Sequence, residues 1–388
     1  MFVADGRSPT ARNWIQYWIA RGGEVHLAST FPCDPIPHLA GLHAVSAALS
    51  PRGADWQSAG KAGYQPAPRA RDARLIQLRQ TIRHWLGPLA LPRDAKRLRE
   101  LVERVQPDLV HALRIPYEGM LAANAKVRVP LLVSVWGNDF TLHAPSTPLM
   151  RRHTRLTMRA ADALHADCER DLRLARAWGL AAAKPTLVTP GNGGIHADIF
   201  FPPAALVDEP VIFNPRGFRA YVRNDTFFQS IPLVLKEFPR AKFVCASMAG
   251  QAEALNWVNK LGIERSVELL GPRPHAEMAE AYRRAMIVVS PSTHDGTPNT
   301  LLEGLACGCF PVVGDLESIR EWITDGDNGL LVDAGNPSAL ANAIIQTIKN
   351  KDLRAKAAGL NQNIIAGRAE YARNMKMAEK FYKIVIGK

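Results

Sequence analysis

The most informative segment for chemistry is residues 286–314, where two carboxylates flank the start of a predicted helix. Asp295 lies in the loop after an apolar strand, and Glu303 lies one to two turns inside the helix. Thr297 is predicted as the N-cap and Pro298 as the first helical residue, because these residue types favour those positions.

The start of this helix is predicted to hold a phosphate-bearing ligand. Open α/β sheets bind ligands at the carboxyl ends of their strands, and helix N-termini attract phosphate through their N–H groups and dipole. Asp295 and Glu303 would accept hydrogen bonds from sugar hydroxyls at the two ends of such a ligand. The alternative is a plain capped crossover helix with one solvated glutamate. The candidate ligand-binding residues are Gly296, Thr297, Pro298, Asn299 and Thr300.

A second group of candidates is basic and follows the apolar strand that begins at Val211. Arg216, Arg219 and Arg223 come soon after that strand. The planar guanidinium group forms paired hydrogen bonds with phosphate oxygens, so these arginines suit a diphosphate. Solvated surface arginines are the alternative, since arginine is usually exposed.

Short apolar runs alternate with helical patterns along the chain, which is typical of parallel sheets covered by helices on both faces. The strand candidates of the first half are 1–4, 25–28, 109–112, 131–135, 163–166 and 186–189. Those of the second half are 211–213, 242–246, 267–270, 286–290, 310–313 and 330–332. Helices are expected at about 14–19, 71–86, 93–105 and 370–385, with a loop at 50–70. We therefore predict two doubly wound α/β domains in tandem, with a boundary near 195–208.

The run SPSTHDGTPNTLLEGLACGCFPVV at 290–313 resembles the signature of the family 4 retaining glycosyltransferases of the GT-B fold. That family carries Glu-x7-Glu, and this chain has Asp295-x7-Glu303, which shortens the first carboxylate by one methylene. Glu321 and the run NGLLV at 328–332 match the usual continuation. The resemblance implies two Rossmann-like domains facing a central cleft, with a C-terminal helix crossing back to the first. It also implies that the first carboxylate meets the donor sugar and the second meets the ribose.

The resemblance also assigns the basic residues. In the family, an arginine and a lysine five residues later neutralise the donor diphosphate. Arg216 matches the arginine, and Tyr221 occupies the place of the lysine. Arg223 is therefore the candidate for the missing cation, and Arg219 is the alternative.

The first half is similar to the acceptor domain of the family. The loop that holds Gly6 resembles the family loop near the donor diphosphate. The run VSVWGND at 133–139 resembles a strand end at which many members carry His-Gly-x-Asp. Trp136 replaces the histidine and Asp139 is retained. Asp139 is expected to contact the reacting sugar or the acceptor hydroxyl, or else to cap an Asx-type turn.

The acceptor candidates are His111, Trp136 and Asn138. His111 ends a predicted strand and would face the cleft, with a buried, hydrogen-bonded histidine as an equal alternative. Residues 1–200, with a returning helix at 372–388, are expected to bind the acceptor. Residues 201–371 are expected to bind the donor.

Positive charge is concentrated in the first half. The chain has 388 residues and a formal net charge of +12, of which residues 1–200 carry +10. Arginines alternate with apolar residues at 71–86, and such a basic amphipathic helix can lie on an anionic bilayer. The alternative is a core-packed helix with a solvated arginine face. Nucleic acid is not expected as a partner, because aromatic stacking positions and known binding motifs are lacking.

Composition narrows the class of protein. Hydrophobic residues make up 47% and charged residues 22%, as in folded soluble proteins. No transmembrane helix and no signal peptide are expected from the apolar patterning. Five cysteines without C-x-x-C spacing argue against a disulfide framework or a zinc ribbon, and they favour the reducing cytoplasm.

The resemblance implies transfer of a sugar, with retention of configuration, from a nucleotide diphosphate sugar, expected to be a UDP-sugar. The expected acceptor is a glycan, lipid-linked or lipopolysaccharide- or capsule-type molecule, met at the inner face of the membrane. The expected catalytic residues are Asp295, Glu303, Arg216 and Asp139, with no metal or other cofactor. The alternatives are a GT-B-type nucleotide-sugar epimerase and a non-catalytic sugar-nucleotide-binding protein. A Rossmann dehydrogenase is disfavoured, because no G-x-G-x-x-G follows a strand.

Overall fold

The chain forms two compact α/β units. The structure is a computed structural model that describes residues 1–45, 70–219 and 221–387, without the side chains of residues 70–84 and 86. Unit 1 holds most of the residues up to Gly193 and returns at Asn374, and unit 2 spans Gly194–Arg373. The division falls slightly before the expected position near residue 200.

Unit 1 is built on a seven-stranded parallel sheet with the order β3-β2-β1-β4-β5-β6-β7. Its strands are β1 Phe2–Ala4, β2 His26–Ser29, β3 Gly41–Ala44, β4 Val110–Leu113, β5 Leu131–Val135, β6 Ala163–Ala166 and β7 Thr186–Val188. Its helices are α1 Pro9–Ala20, α2 Ala70–Val105, α3 Met120–Ala125, α4 Pro148–Ala160 and α5 Glu169–Ala177. Apolar strand residues such as Val3, Val110 and Val133 are fully buried between the helices, because a parallel sheet is covered on both faces.

Unit 2 has a six-stranded parallel sheet with the order β10-β9-β8-β11-β12-β13. Its strands are β8 Val211–Asn214, β9 Lys242–Cys245, β10 Val267–Leu269, β11 Ile287–Ser290, β12 Phe310–Gly314 and β13 Leu330–Val332. Its helices are α6 Asn224–Glu237, α7 Ala252–Leu261, α8 His275–Arg283, α9 Asn299–Ala306, α10 Pro337–Lys349 and α11 Lys351–Ile364.

The last helix, α12 Tyr371–Ile386, packs on unit 1, which confirms the predicted return of the C-terminal helix. Phe381 is buried in a small cluster with Leu109, Leu132 and Ala163. The ring of Tyr382 stacks on Trp18 with 4.3 Å between centroids.

Two element predictions in unit 1 were wrong. Strand β3 was not predicted, because Gly41–Ala44 is an edge strand with alternating half-buried and exposed side chains instead of an apolar run. The predicted helices 71–86 and 93–105 are one continuous helix, α2, that runs through Pro88 and Pro92. Its buried residues Leu91 and Leu98 lie on one face on either side of Pro92, so packing outweighs the hydrogen bonds that proline removes.

Two absences hold for the described chain. None of its helices is long and apolar enough to span a membrane. None of the five cysteines, all of which lie in the described part, takes part in a disulfide. The predicted loop at 50–70 lies outside the described residues, apart from residue 70 at the start of α2.

Candidate functional site

The strand order of unit 2 reverses between β8 and β11, which are neighbours but lead to strands on opposite sides of the sheet. Ligands of open α/β sheets bind at the carboxyl ends of the strands at such a point. Arg216 follows the end of β8, and Asp295 follows the end of β11. The two predicted segments of the second half therefore meet at one place.

Arg216 is the centre of this cluster and is only 8% exposed. Its Nη1 lies 3.1 Å from Asp295 Oδ2 and 3.4 Å from Thr300 Oγ1. Burial alone would lower the pKa of Arg216, but Asp295, together with Tyr221 and Tyr282, raises it overall. The backbone N–H of Arg216 donates to Asn214 Oδ1 at 3.0 Å, which anchors the loop to β8. Arg216 is thus a fixed cation at the carboxyl end of the sheet.

The start of α9 differs from its predicted form. Pro298, with extended backbone, is the N-cap, and the helix begins at Asn299. Thr297 was wrongly predicted as the N-cap, because its hydroxyl instead accepts a hydrogen bond from Trp322 Nε1 at 3.0 Å. The carbonyl of Asp295 accepts from Ser318 Oγ at 2.7 Å. These contacts fix the loop that carries Asp295, and they leave the first turn of α9 beside Arg216.

Glu303 is buried on α9, and its Oε2 accepts a hydrogen bond from the Tyr282 hydroxyl at 3.1 Å. Burial raises the pKa of Glu303 to about 7, while Tyr282 and Arg216 act in the opposite direction. The next residue, Gly304, lets α9 approach β11 closely, since a Cβ there would lie 2.8 Å from Val288 Cγ1. Glu303 is therefore a carboxylate that titrates near neutral pH on the helix that carries Thr300.

The other two candidate arginines, Arg219 and Arg223, differ in their surroundings. Arg223 forms a paired interaction with Asp225, with Nε–Oδ1 and Nη2–Oδ2 distances of 2.8 and 2.7 Å. Arg219 is exposed, and its Nη1 donates to the Tyr221 hydroxyl at 3.1 Å. The Arg216 Cζ lies 6.0 Å from the centroid of the Tyr221 ring. Tyr221, in the place of the family lysine, thus lies between two guanidinium groups.

In unit 1, Asp139 is buried at the start of a short turn, Asp139–His143. Its Oδ1 accepts from Arg114 Nε at 2.9 Å, and its Oδ2 accepts from the Ile115 and Trp136 backbone N–H groups at 3.0 and 3.3 Å. Burial raises the pKa of Asp139, and Arg114 opposes this shift. These contacts agree with the alternative that this carboxylate organises the turn.

Arg114 was missed by the sequence reasoning. It follows β4 directly and has a φ of 128°, a left-handed value that is rare for a residue with a side chain. Its Nη2 donates to Asn138 Oδ1 at 3.1 Å and lies 2.9 Å from His143 Nε2. An arginine within two residues of the end of a strand, the pattern that Arg216 shows, would also have indicated Arg114.

His111 lies inside β4 and is 1% exposed. Its Nε2 is 2.8 Å from Ser134 Oγ, and its Nδ1 contacts the Tyr382 hydroxyl. Burial, followed by the neighbouring His165, lowers its pKa well below the usual range. The alternative of a buried, hydrogen-bonded histidine therefore describes this residue, and the expectation of a cleft-facing His111 was wrong.

The other unit 1 candidates lie at strand ends. Trp136 is half-buried beside Gly191, where an added Cβ would lie 3.3 Å from its ring. The side-chain oxygen of Asn138 accepts a hydrogen bond from Arg114 Nη2. Gly6 is buried, and an added Cβ would overlap Cys33 Sγ, so a larger residue there would have to displace the Cys33 side chain.

Three potential metal ligands, Asp167, Cys168 and Asp171, lie buried within 4.8 Å of one another in unit 1. Arg170 Nη2 donates to Asp171 Oδ1 at 2.7 Å. Burial, followed by the Asp171 charge, raises the pKa of Asp167 well above its usual range. Arg170 therefore already supplies a positive charge to this group of acidic residues.

The sequence reasoning also overlooked an Asp-x-Asp pattern, Asp325 and Asp327. The Asp325 carboxylate accepts from the Leu331 backbone N–H at 2.9 Å, and Asp327 pairs with Lys356 at 2.7 Å. Both carboxylates thus hold a turn and a helix in place.

Comparison with known families matches both units. Residues 5–191 match the "Glycosyl transferase 4-like domain", and residues 211–350 match "Glycosyl transferases group 1".

Two curated relatives match parts of the chain. D-inositol 3-phosphate glycosyltransferase of Corynebacterium urealyticum is 35% identical over 95 residues, which cover 24% of this chain and 22% of that protein. The protein of the same name from Thermobispora bispora is 26% identical over 197 residues, or 46% of each chain. The matches thus span between a fifth and about half of these relatives.

Solved structures resemble the whole chain in fold. Sucrose-phosphate synthase of Thermosynechococcus elongatus has a TM-score of 0.72 at 15% identity, over 100% of this chain and 99% of that one. HepE of Anabaena, solved in complex with UDP-glucose, has a TM-score of 0.71 at 16% identity, over 98% of both chains.

Proposed function

The chain belongs to the family 4, group 1 glycosyltransferases and has their GT-B fold, and from this premise we propose that it transfers a sugar from a nucleoside diphosphate sugar to a hydroxyl acceptor. UDP is the proposed nucleotide, because HepE, which shares the fold, was solved with UDP and with UDP-glucose. We propose that configuration is retained, as the family resemblance implies.

One observation carries the proposal. Asp295 and Thr300 both lie within contact distance of Arg216 at the switch point of the unit 2 sheet. A fixed cation beside a helix start suits a diphosphate, and the carboxylates beside it suit sugar hydroxyls. We assign Arg216 to the diphosphate, Asp295 to the donor sugar and Glu303 to the ribose.

The chemistry needs stabilisation of a departing anion. The bond between the anomeric carbon and the diphosphate oxygen breaks, and a bond from the anomeric carbon to the acceptor oxygen forms. The acceptor proton passes to the leaving diphosphate, which therefore serves as the base. Arg216 and the first turn of α9 would stabilise the charge that develops on the diphosphate, and fixed groups of this kind dominate many enzymatic barriers. We propose that no metal is required.

We further propose Arg219 as the second diphosphate cation in place of Arg223. The charge of Arg223 is already shared with Asp225. Within the described chain, no carboxylate forms an ion pair with Arg219, and this residue reaches Arg216 through Tyr221.

A lipid-linked or glycan acceptor is proposed for the same protein. A relative from Mycobacterium leprae is named phosphatidyl-myo-inositol mannosyltransferase, and that name motivates a membrane-borne acceptor here. Helix α2 supports the idea, since Trp85 and Leu89 are 53% and 63% exposed one turn apart.

Calorimetric titration with UDP, followed by product analysis with UDP-sugars, tests the proposal. We expect UDP binding that is lost in Glu303→Ala, and sugar transfer that needs an acceptor. Full donor turnover by Glu303→Ala would refute the assignment of Glu303. Release of an isomerised free sugar without an acceptor would instead identify an epimerase.

A further inference from the structure

Tyr282 connects Glu303 to the first turn of the same helix. It lies on α8 with its side chain fully buried. Its hydroxyl oxygen is 3.1 Å from Glu303 Oε2 and 3.0 Å from the Thr300 carbonyl oxygen. Thr300 in turn accepts from Arg216 through its side chain. One phenol group therefore contacts both the carboxylate and the helix turn that we assign to donor binding.

The hydroxyl has one hydrogen and two acceptors within reach. When Glu303 is ionised, Tyr282 can donate to its carboxylate. When Glu303 is protonated, the carboxylic acid can donate to the tyrosine oxygen, and Tyr282 can donate to the Thr300 carbonyl. The buried carboxyl group thus has a hydrogen-bond partner in each protonation state. This matters because a buried polar group without a partner is destabilising.

We propose that Tyr282 is a positioning residue that holds ionised Glu303 towards the donor ribose, so that the affinity for the nucleotide depends on pH through this pair. The inference rests on the proposed function, because the ribose role of Glu303 belongs to it.

The groups that face Glu303 are few in the described chain. Tyr282 reaches it from α8, and Arg216 acts on it from the loop after β8. Cys307, at the end of α9, is kept uncharged because burial raises its pKa to about 12. Gln362 of α11 donates its neutral amide to the Leu305 and Ala306 carbonyls. Tyr282 itself stays protonated, because burial raises its pKa.

The sign of the pH effect follows from these surroundings. Burial raises the pKa of Glu303 to about 7, so Glu303 is ionised above neutral pH, where its carboxylate can accept hydrogen bonds from the ribose hydroxyls. Affinity for the nucleotide should fall as the pH drops through about 7. Because the Tyr282 hydrogen bond lowers the pKa of Glu303, its removal should move this fall to higher pH.

The test is a set of UDP titrations from pH 6 to pH 9 on wild type, Tyr282→Phe and Glu303→Gln. Tyr17→Phe is the matched control, since it removes a 2.7 Å tyrosine–carboxylate hydrogen bond to Glu379 in unit 1. The terminal phosphate of UDP titrates near pH 6, at roughly the second pKa of a phosphate group. Glu303→Gln retains the contribution of the phosphate to the pH dependence, so the difference between this variant and wild type isolates the contribution of Glu303.

We expect the midpoint of the pH dependence to rise by about one pH unit in Tyr282→Phe, which corresponds to about tenfold weaker binding at pH 6.5. Most of the loss should disappear at pH 9, where Glu303 is ionised in both proteins. Glu303→Gln should bind weakly without the step near pH 7. Tyr17→Phe should match wild type.

Thermal melting without ligand separates this inference from the proposed function. A carboxyl group with a raised pKa contributes stability at low pH that is lost as the pH rises through its folded pKa. The melting temperature of wild type should therefore fall between about pH 4.5, the ordinary pKa of a glutamate, and about pH 7, and then level off. In Tyr282→Phe the fall should continue to higher pH, and in Glu303→Gln it should be absent.

The inference is overturned if wild type binds UDP and Tyr282→Phe leaves the affinity, its pH midpoint and the melting step unchanged. If Tyr282→Phe fails to fold, wild type is compared with Glu303→Gln instead. The same dependence of UDP affinity on pH in these two proteins would also overturn the inference. If wild type binds no UDP at any pH, the proposed function fails, and the donor role of Tyr282 fails with it.

Discussion

The Arg216–Asp295 ion pair joins two groups that the proposed function uses on different parts of the donor. Both side chains are largely buried, at 8% and 14% exposure. Asp295 therefore competes with the incoming diphosphate for the same guanidinium group. Asp295 contacts Arg216 and, in the proposed function, must also reach the donor sugar.

Asp295→Asn should separate these two roles. UDP should bind at least as tightly as to wild type, because the competing charge is gone. Sugar transfer should fall by about 10²-fold, as for the loss of one aligned polar group in an active site. The unliganded variant should be less stable by about 3 kcal/mol, since a buried cation loses its partner. Calorimetry, turnover assays and melting curves measure the three effects.

Asp315→Asn is the control for this experiment, because it breaks an exposed pair with Arg320. Such pairs contribute about 0–1 kcal/mol, so all three measurements should stay near wild type. UDP binding that weakens in Asp295→Asn as much as transfer does would show that Asp295 acts mainly by holding Arg216.

Arg219 and Arg223 give a second comparison at the residue scale. Arg219→Gln should weaken UDP binding about tenfold, since a hydrogen bond to a charged group contributes roughly 1.5–3 kcal/mol. It should change UMP binding little, because UMP lacks the second phosphate. Arg223→Gln should leave the UDP to UMP affinity ratio unchanged, and the reverse pattern would restore Arg223 as the second cation.

At the scale of elements, the sequence was sufficient for most strands and insufficient for two features. Buried parallel strands such as β5 and β6 are mostly apolar and fully buried, and their bounds were predicted without error. The edge strand β3 has only one covered side and lacks such a run. Helix α2 runs through its prolines because its buried face continues. Which residues of α2 are buried depends on tertiary packing, so the sequence alone did not show it.

The candidate site could be predicted where the elements position it directly. The switch point follows from the strand order, and Asp295 and Arg216 follow from their places after β11 and β8. The sequence could not show that Thr297 bonds Trp322, nor that Arg223 is held by Asp225. Both depend on side-chain partners that compete with the predicted role.

At the scale of the whole molecule, charge and site chemistry lie in different halves of the chain. Of the net charge of +12, residues 1–200 carry +10, whereas the nucleotide site is proposed in the nearly neutral second half. The surplus is therefore not explained by the donor diphosphate. Arg93, Lys96 and Arg97 are exposed on α2 beyond Trp85 and Leu89, while the arginine-rich side chains at 71–84 lie outside the described residues.

This distribution predicts that membrane binding and nucleotide binding can be separated. Trp85→Ser combined with Leu89→Ser should reduce co-sedimentation with phosphatidylglycerol vesicles, because the exposed apolar pair would insert at the interface. UDP affinity should remain that of wild type. Leu255→Ser combined with Leu360→Ser is the control, since these leucines are exposed in unit 2 at 44% and 39%.

Vesicle binding should also weaken at high ionic strength, because salt screens the attraction of arginine and lysine to anionic lipid. If wild type does not bind these vesicles at low salt, the membrane hypothesis is refuted and the transferase proposal is unaffected.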